Sequence, residues 1–169
     1  MSDETRLERL ERRLQRLEDE LTVTRMVAAY GPLVDAGEAD AVAGLWAEDG
    51  EYDVEGWHMR SRDDVRAMVL SEGHQRLIRG GCLHFLGPAH VTVEGDDAVA
   101  VCESLLVRHR EDGYSVRRAG ANYFRFRRLP EGWRVVHRTT RALDGGEEAR
   151  GLLADGALAR PPSRFIQSG

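Results

Sequence analysis

The sequence contains no lysine: all 24 basic residues are arginine. That absence excludes Schiff-base catalysis and covalent attachment of pyridoxal phosphate, both of which need an ε-amine. Cysteine is scarce too. Cys82 and Cys102 are the two, without CxxC spacing, so neither a disulfide framework nor a thiolate zinc site is indicated. No apolar run approaches the ~20 residues that span a bilayer, and no signal-peptide pattern opens the chain; a cytoplasmic protein with no membrane partner is expected. The net charge of −5 and pI near 5.7 carry no nucleic-acid footprint. At 169 residues the chain is long enough to bury one substantial core.

What is present is a run of strands between Cys82 and Arg138, rich in β-branched and aromatic residues and punctuated by turns. Leu83 to Val93 reads as one strand, followed by a Glu94-Gly95-Asp96-Asp97 turn. Ala98 to His109 reads as the next, closed by Glu111-Asp112-Gly113. A third centres on Ala121 to Phe126, and after Pro130-Glu131-Gly132 comes Trp133 to His137. Alternation along a strand puts Val99, Val101, Leu105, Val107 and His109 on one face, with Glu103 among them. On the third strand Asn122, Phe124 and Phe126 share a face, while Arg125 and Arg127 point to water. His109 and Asn122 are thus expected on the apolar faces of their strands, where they need partners from the backbone or from a ligand.

The N-terminal half is helical. Residues 4–29 carry Leu7, Leu10, Leu14, Leu17 and Leu21 at steps of three and four, with Glu and Arg between. Fewer than three heptads do not make a free-standing coiled coil, so the stripe is expected to dock on its own domain or on a neighbouring subunit. Helix continues from Met26 to Trp46 with a break after Tyr30 at Pro32, a turn at Gly37, and Asp40 as N-cap of the last piece. Ala47 to Gly50 reads as a turn, Glu51 to Val54 as a short strand, Ser61 to about Glu72 as a capped helix, and Gly73 to Gly81 as a connection. Beyond Arg138 periodicity fades: residues 147–153 form one or two helical turns, and Pro161-Pro162 stiffens a tail whose Phe165-Ile166 is expected over a cavity mouth. The divisions expected are a charged helix (1–25), a main domain (26–142) and a tail (143–169). Helices first and a meander after them predict an α+β fold, a cone-shaped barrel of curved antiparallel sheet wrapped on the N-terminal helices around an internal pocket.

Several residues carry a family resemblance. Asp35 and Asp49, the Gly95-Asp96 turn, and Gly132-Trp133-Arg134-Val135 with Arg138 resemble the SnoaL-like branch of the nuclear-transport-factor-like superfamily over roughly residues 8–142. Within it the sequence is similar to scytalone dehydratase, bile-acid 7α-dehydratase and hexachlorocyclohexane dehydrochlorinase. Tyr30 and Asp35 resemble the tyrosine–aspartate spacing of the bile-acid enzyme. Leu83-His84-Phe85, Leu105 to His109, and Ala121-Asn122 resemble the two histidine strands and the asparagine of the scytalone enzyme. Val34 and Val54 stand where that enzyme has its water-holding tyrosines, Val107 near a second aspartate of the bile-acid enzyme, and Arg127 or Arg128 where the dehydrochlorinase has a pocket arginine.

The resemblance implies a cofactor-independent lyase that eliminates water from a mostly apolar cyclic molecule. His84 is the expected base, Asp35 its orienting partner and Tyr30 a donor to a substrate oxygen, because an imidazole beside a carboxylate exchanges protons near neutral pH in one enforced tautomer. His109 and Asn122 are expected to hold the carbonyl or the leaving group, with Trp57 and Phe124 against the substrate. His58, His74, His90 and His137 are expected at the surface or in packing. Isomerase or cyclase chemistry and noncatalytic ligand binding are the alternatives on the same fold. Epoxide hydrolysis would need a second carboxylate, for which parity offers Glu103. Asp35, His84 and His109 have the ligand types of a two-histidine, one-carboxylate metal centre, yet the enzymes resembled use neither metal nor cofactor, and none is expected. They are trimers, and a homo-oligomer is expected here, a trimer ahead of other states.

Overall fold

A computed structural model describes residues 3–160. The expected lid at Pro161 to Ile166 lies outside them. Helix α1 (Asp3–Ala36) is 34 residues long and contains Pro32. The break expected after Tyr30 does not occur, and the helix passes residue 25 without interruption. Proline deletes one intrahelical bond, but Val27, Tyr30 and Val34 are buried against the sheet on either side of it and keep the helix in line. The helix ends where Gly37 turns to φ +76. There Gly37 N–H bonds the Val34 carbonyl and Glu38 N–H the Leu33 carbonyl, each at 3.0 Å, a glycine-terminated Schellman cap.

Helix α2 (Ala39–Ala43) starts at Glu38 without a side-chain cap; Asp40 lies inside its first turn and pairs with Arg66 instead. Strand β1 (Trp46–Val54) forms a hairpin with β2 (Trp57–Met59) and absorbs the turn expected at Ala47 to Gly50. Ser61 caps α3 (Arg62–Leu70), its hydroxyl accepting from Asp64 N–H at 3.1 Å. The expected connection after Glu72 is a helix, α4 (Glu72–Arg79), with Ser71 capping it by accepting from His74 N–H. No residue of α4 is fully buried, and its eight residues include only two apolar ones, Leu77 and Ile78, too few to read as a helical period in sequence.

The strand expected from Leu83 to Val93 is two strands, β3 (Cys82–Leu86) and β4 (His90–Glu94), parted by Gly87-Pro88-Ala89. Both pair antiparallel with β5 (Asp97–Arg110). β6 (Gly113–Leu129), β7 (Gly132–Ala142) and helix α5 (Glu147–Ala157) complete the fold. The sheet runs β2-β1-β7-β6-β5-β3, parallel only between β1 and β7, and it curves without closing. No helix among the described residues is long and apolar enough to cross a membrane.

Both faces of the sheet are covered, and this corrects the parity reading. Ala98, Ala100 and Cys102 of β5 and Phe124 and Phe126 of β6 pack with α1 in the main core. Val99 and Val101 look the other way, packing with Ala121, Tyr123, Ala149 and Leu152 beneath α5. His109 belongs to this outer set, opposite in phase to the residues that face the helices.

Two contacts fix α1 on the sheet. A side chain at Gly31 would meet the His84 carbonyl oxygen at 2.0 Å, so glycine there lets α1 lie directly on β3. Nearer the other end, buried Asp19 accepts both guanidinium nitrogens of Arg128 at 2.9 and 2.6 Å and the Trp133 indole N–H at 3.0 Å. The Arg128 hydrogen bond is foremost in holding the Asp19 carboxyl below its usual value, against the opposing effect of burial. A lowered folded pKa gives stability that is present above the ordinary value of 3.8 and is lost as pH falls through the lowered one. Asp19→Asn should therefore melt lower than the parent at neutral pH, with the difference shrinking under acid, as thermal denaturation across a pH series will read.

Candidate active site

Between the helices and the concave side of the sheet lies a cavity of about 200 Å³. Val54, Met59, Met68, Leu86 and Leu106 make its apolar wall; Tyr30, Tyr52, His74, His84, Ser104 and Arg138 bring polar groups to it. Trp57 stands at the rim, 55 % exposed.

Asp35, on the last turn of α1, is bound to His84 twice. Its Oδ2 accepts the His84 backbone N–H at 2.7 Å, and Oδ1 lies 2.6 Å from ring Nδ1. The Cys82 thiol points at the same Oδ1 from 3.4 Å. Burial would raise the Asp35 carboxyl, but the hydrogen bonds from the His84 ring and backbone, with the ring's charge and the thiol, outweigh it and hold the carboxyl below its usual value. An ionised Asp35 accepts the hydrogen bond from Nδ1–H, and that tautomer leaves Nε2 as a free lone pair on a residue that lines the cavity.

His74 lines the cavity as well, contrary to the expectation of a surface or packing histidine. Its ring stacks on that of His84, centroids 5.5 Å apart. Burial first, and then the charge of His84, lower its pKa against the hydrogen bond to the Val34 carbonyl and the charge of Asp35. It is therefore neutral at pH 7, and its buried Nε2 has no partner among the described residues. Tyr30 is buried, and burial and the adjacent Tyr52 push its phenol up against the opposing pull of Arg138, which keeps it a proton donor.

The residue the sequence did not single out for the site is Arg138. It is 2 % exposed, and its guanidinium lies over the rings of Tyr30, Tyr52 and Phe124, with 4.0, 4.4 and 4.7 Å from the central carbon to the centroids. Nη2 donates to Asn122 Oδ1 at 2.7 Å, while Nε and Nη1 are buried without a hydrogen-bond partner. No carboxylate pairs with it among the described residues. A buried charge in that condition costs several kcal/mol, only partly offset by cation–π contacts. Arg138 faces inward because β7 is bulged: Phe126 pairs with Val135 but Arg125 with His137, so Val136 is an extra residue that shifts the alternation. Arg127 and Arg128 pair outside the cavity with Asp97, Asp96 and Asp19.

Asn122 and Phe124 stand behind this arginine and are not among the cavity-lining residues. Asn122 Oδ1 accepts from Arg138 and from Thr140 Oγ1, and its Nδ2 donates to Ser104 Oγ at 2.9 Å, so the amide is spent on positioning. Phe124 supplies the ring under the guanidinium. His109 is exposed on the outer face, beside the Tyr114 ring. Glu103 is exposed on that face too, so the position parity offered brings no carboxylate to the cavity, and Asp35 stands behind His84 without lining it. Asp35, Cys82 and His84 place one potential metal-ligand atom each within 4.8 Å. Burial and Asp35 push the Cys82 thiol up to about 12, however, and the three are already satisfied by bonds to one another.

A family model, the SnoaL-like domain, matches residues 15–139. Among solved structures, an NTF2-like protein with a cystatin-like fold from Novosphingobium aromaticivorans is 46% identical, with a TM-score of 0.83, covering 85% of this chain and 94% of that one. A protein from Mycobacterium tuberculosis at 19% identity (TM-score 0.65, 96% of this chain and 84% of that) shares the fold. So does one from Catenulispora acidiphila, solved with S-DNPA, at 19% identity (TM-score 0.63, 75% and 92%). No curated protein sequence matches the chain.

If Arg138 is held for the cavity and not for the fold, an apolar side chain of similar length should be tolerated. Arg138→Met is expected to melt at or above the parent temperature, since it removes an uncompensated buried charge; a large drop in Tm would make Arg138 structural.

Proposed function

The chain belongs to the SnoaL-like domain family, and on that premise we propose that it is a cofactor-independent lyase of the dehydratase type, acting on a mostly apolar cyclic molecule that carries an oxygen function. The family includes cofactor-independent isomerases and dehydratases. The observation that carries the reading is the pairing of two features: a cavity-lining histidine whose Nδ1 is held by a half-buried carboxylate, and a buried arginine with two nitrogens that have no hydrogen-bond partner. A base aimed at carbon and a cation aimed at oxygen are what enolate chemistry requires.

His84 Nε2 takes a proton from a carbon next to a carbonyl, and the C–H electron pair forms a C=C bond while the carbonyl oxygen becomes an oxyanion. Arg138 and the Tyr30 hydroxyl stabilise that oxygen. The pair then returns, expels a hydroxyl from the neighbouring carbon, and that hydroxyl takes the proton from the His84 imidazolium and leaves as water. Asp35 keeps the ring in the tautomer that presents Nε2 and stabilises the imidazolium. His74, a neutral acceptor beside His84, orients the leaving hydroxyl. The apolar wall favours a ring over a chain and excludes bulk water.

Isomerisation or cyclisation shares the first step and differs in where the proton goes, so product mass separates them: elimination loses one water. The test is a panel of β-hydroxy ketones on alicyclic and aromatic frameworks, followed by ultraviolet absorbance and mass. His84→Ala should lower turnover by ~10²–10⁴-fold, Asp35→Asn should lower it heavily, and the double variant should be little worse than the worse single. A folded His84→Ala with full turnover would end the proposal.

Turnover should also be indifferent to EDTA. Loss of activity with chelator and recovery with one divalent metal would move the chemistry to a centre built on Asp35, Cys82 and His84.

A further inference from the structure

Residues 5–18 of α1 are exposed on every side. Leu7, Leu10, Leu14, Leu17 and Leu21 are each 48–61 % exposed, so their own domain does not cover them. They keep a heptad, with Leu7, Leu14 and Leu21 at position a and Leu10 and Leu17 at position d. At 100° per residue this seam lies on the side of the helix opposite Asp19 and Val23, which anchor α1 to the sheet. An apolar edge of that length turned away from its own domain needs a partner.

We propose that the partner is a second copy of this chain, bound through the same leucine edge in a parallel, in-register coiled coil. The flanking charges select that occupant. Position g holds Arg6, Arg13 and Glu20; position e holds Glu11, Glu18 and Arg25. In a parallel pair each g residue faces the e residue five positions on in the other helix. Arg6 then meets Glu11, Arg13 meets Glu18, and Glu20 meets Arg25, opposite in sign every time. The reversal of sign in the last pair fixes the register: a slip of one heptad puts Arg13 against Arg25 or Glu20 against Glu18. An antiparallel pair sets e against e, and in the registers that overlap the leucines Glu11 meets Glu11 or Glu18 of the other copy. Of these six residues, only Glu20 has an ion-pair partner among the described residues, Arg16 on its own helix.

Two and a half heptads are marginal for an isolated peptide, where each chain must first form helix. Here residues 19–36 of the same helix are already packed on the sheet, so the seam extends a helix that exists and association does not carry its nucleation.

Cysteine cross-linking in the full-length protein tests this. Across a parallel in-register seam the two copies of residue 14 are neighbours, whereas residue 9 faces away. Leu14→Cys should link two chains under mild oxidation, well above both Arg9→Cys and the parent with Cys82 and Cys102. Adding Arg6→Glu and Arg13→Glu should lower the linked fraction about tenfold, and adding Glu11→Arg and Glu18→Arg as well should restore it. Sedimentation should give a multiple of 18.9 kDa for the parent. A monomer, or a Leu14→Cys yield no higher than that of Arg9→Cys, overturns the proposal, as does a yield indifferent to charge reversal. Because the readout is a cross-link on α1, it stands or falls apart from any activity of the cavity.

Discussion

One carboxylate joins the helical layer to the sheet at the cavity. Asp35 accepts from both the backbone and the ring of His84, so the bond that fixes where β3 lies against α1 also fixes how the imidazole is turned. The approach is close because Gly31, one turn earlier on the same helix, has no side chain to hold the His84 carbonyl away. The geometry of the site follows from backbone docking: the contact that seats the His84 backbone on α1 brings the ring within reach of the same carboxylate. A base preorganised in this way needs little reorganisation when it takes a proton.

On the other side of the cavity the arrangement costs stability. Arg138 is buried with rings on three sides and an amide on one nitrogen, yet without a carboxylate. A fold selected for stability alone would pair or replace such a charge. Asn122 completes the arrangement by accepting from Arg138 and Thr140 and donating to Ser104, a network that fixes one end of the guanidinium.

The sequence carried the α+β order and the turns after β4, β5 and β6 in plain form, because Gly95-Asp96, Glu111-Asp112-Gly113 and Pro130-Glu131-Gly132 punctuate strands of strongly β-forming residues, whereas the break at Gly87-Pro88-Ala89 was missed and Ala47 to Gly50 proved to be strand. That Asp35 and His84 belong together came from resemblance, since nothing in the spacing of residues 49 apart reports a contact. Face assignment failed at His109 because β5 is apolar on both sides: its larger residues, Val99 and Val101, serve α5, and its small ones, Ala100 and Cys102, serve the cavity side. Arg138 was hidden by the extra residue at Val136, since a bulge inverts every parity argument beyond it. His74 was hidden because α4 is short and carries only Leu77 and Ile78 as apolar residues, too few to announce a helix. Pro32 misled in the opposite direction, as tertiary packing kept a helix that local rules would break.

The most direct test of the account is the protonation state of the His84 ring, read by nitrogen-15 NMR of histidine-labelled protein with and without Asp35→Asn. Nδ1 is expected to be protonated and Nε2 bare in the neutral ring of the parent, with a mixture of tautomers once the carboxylate is gone. A parent ring protonated on Nε2, or a tautomer indifferent to Asp35→Asn, would contradict the assignment of His84 as a base held by Asp35.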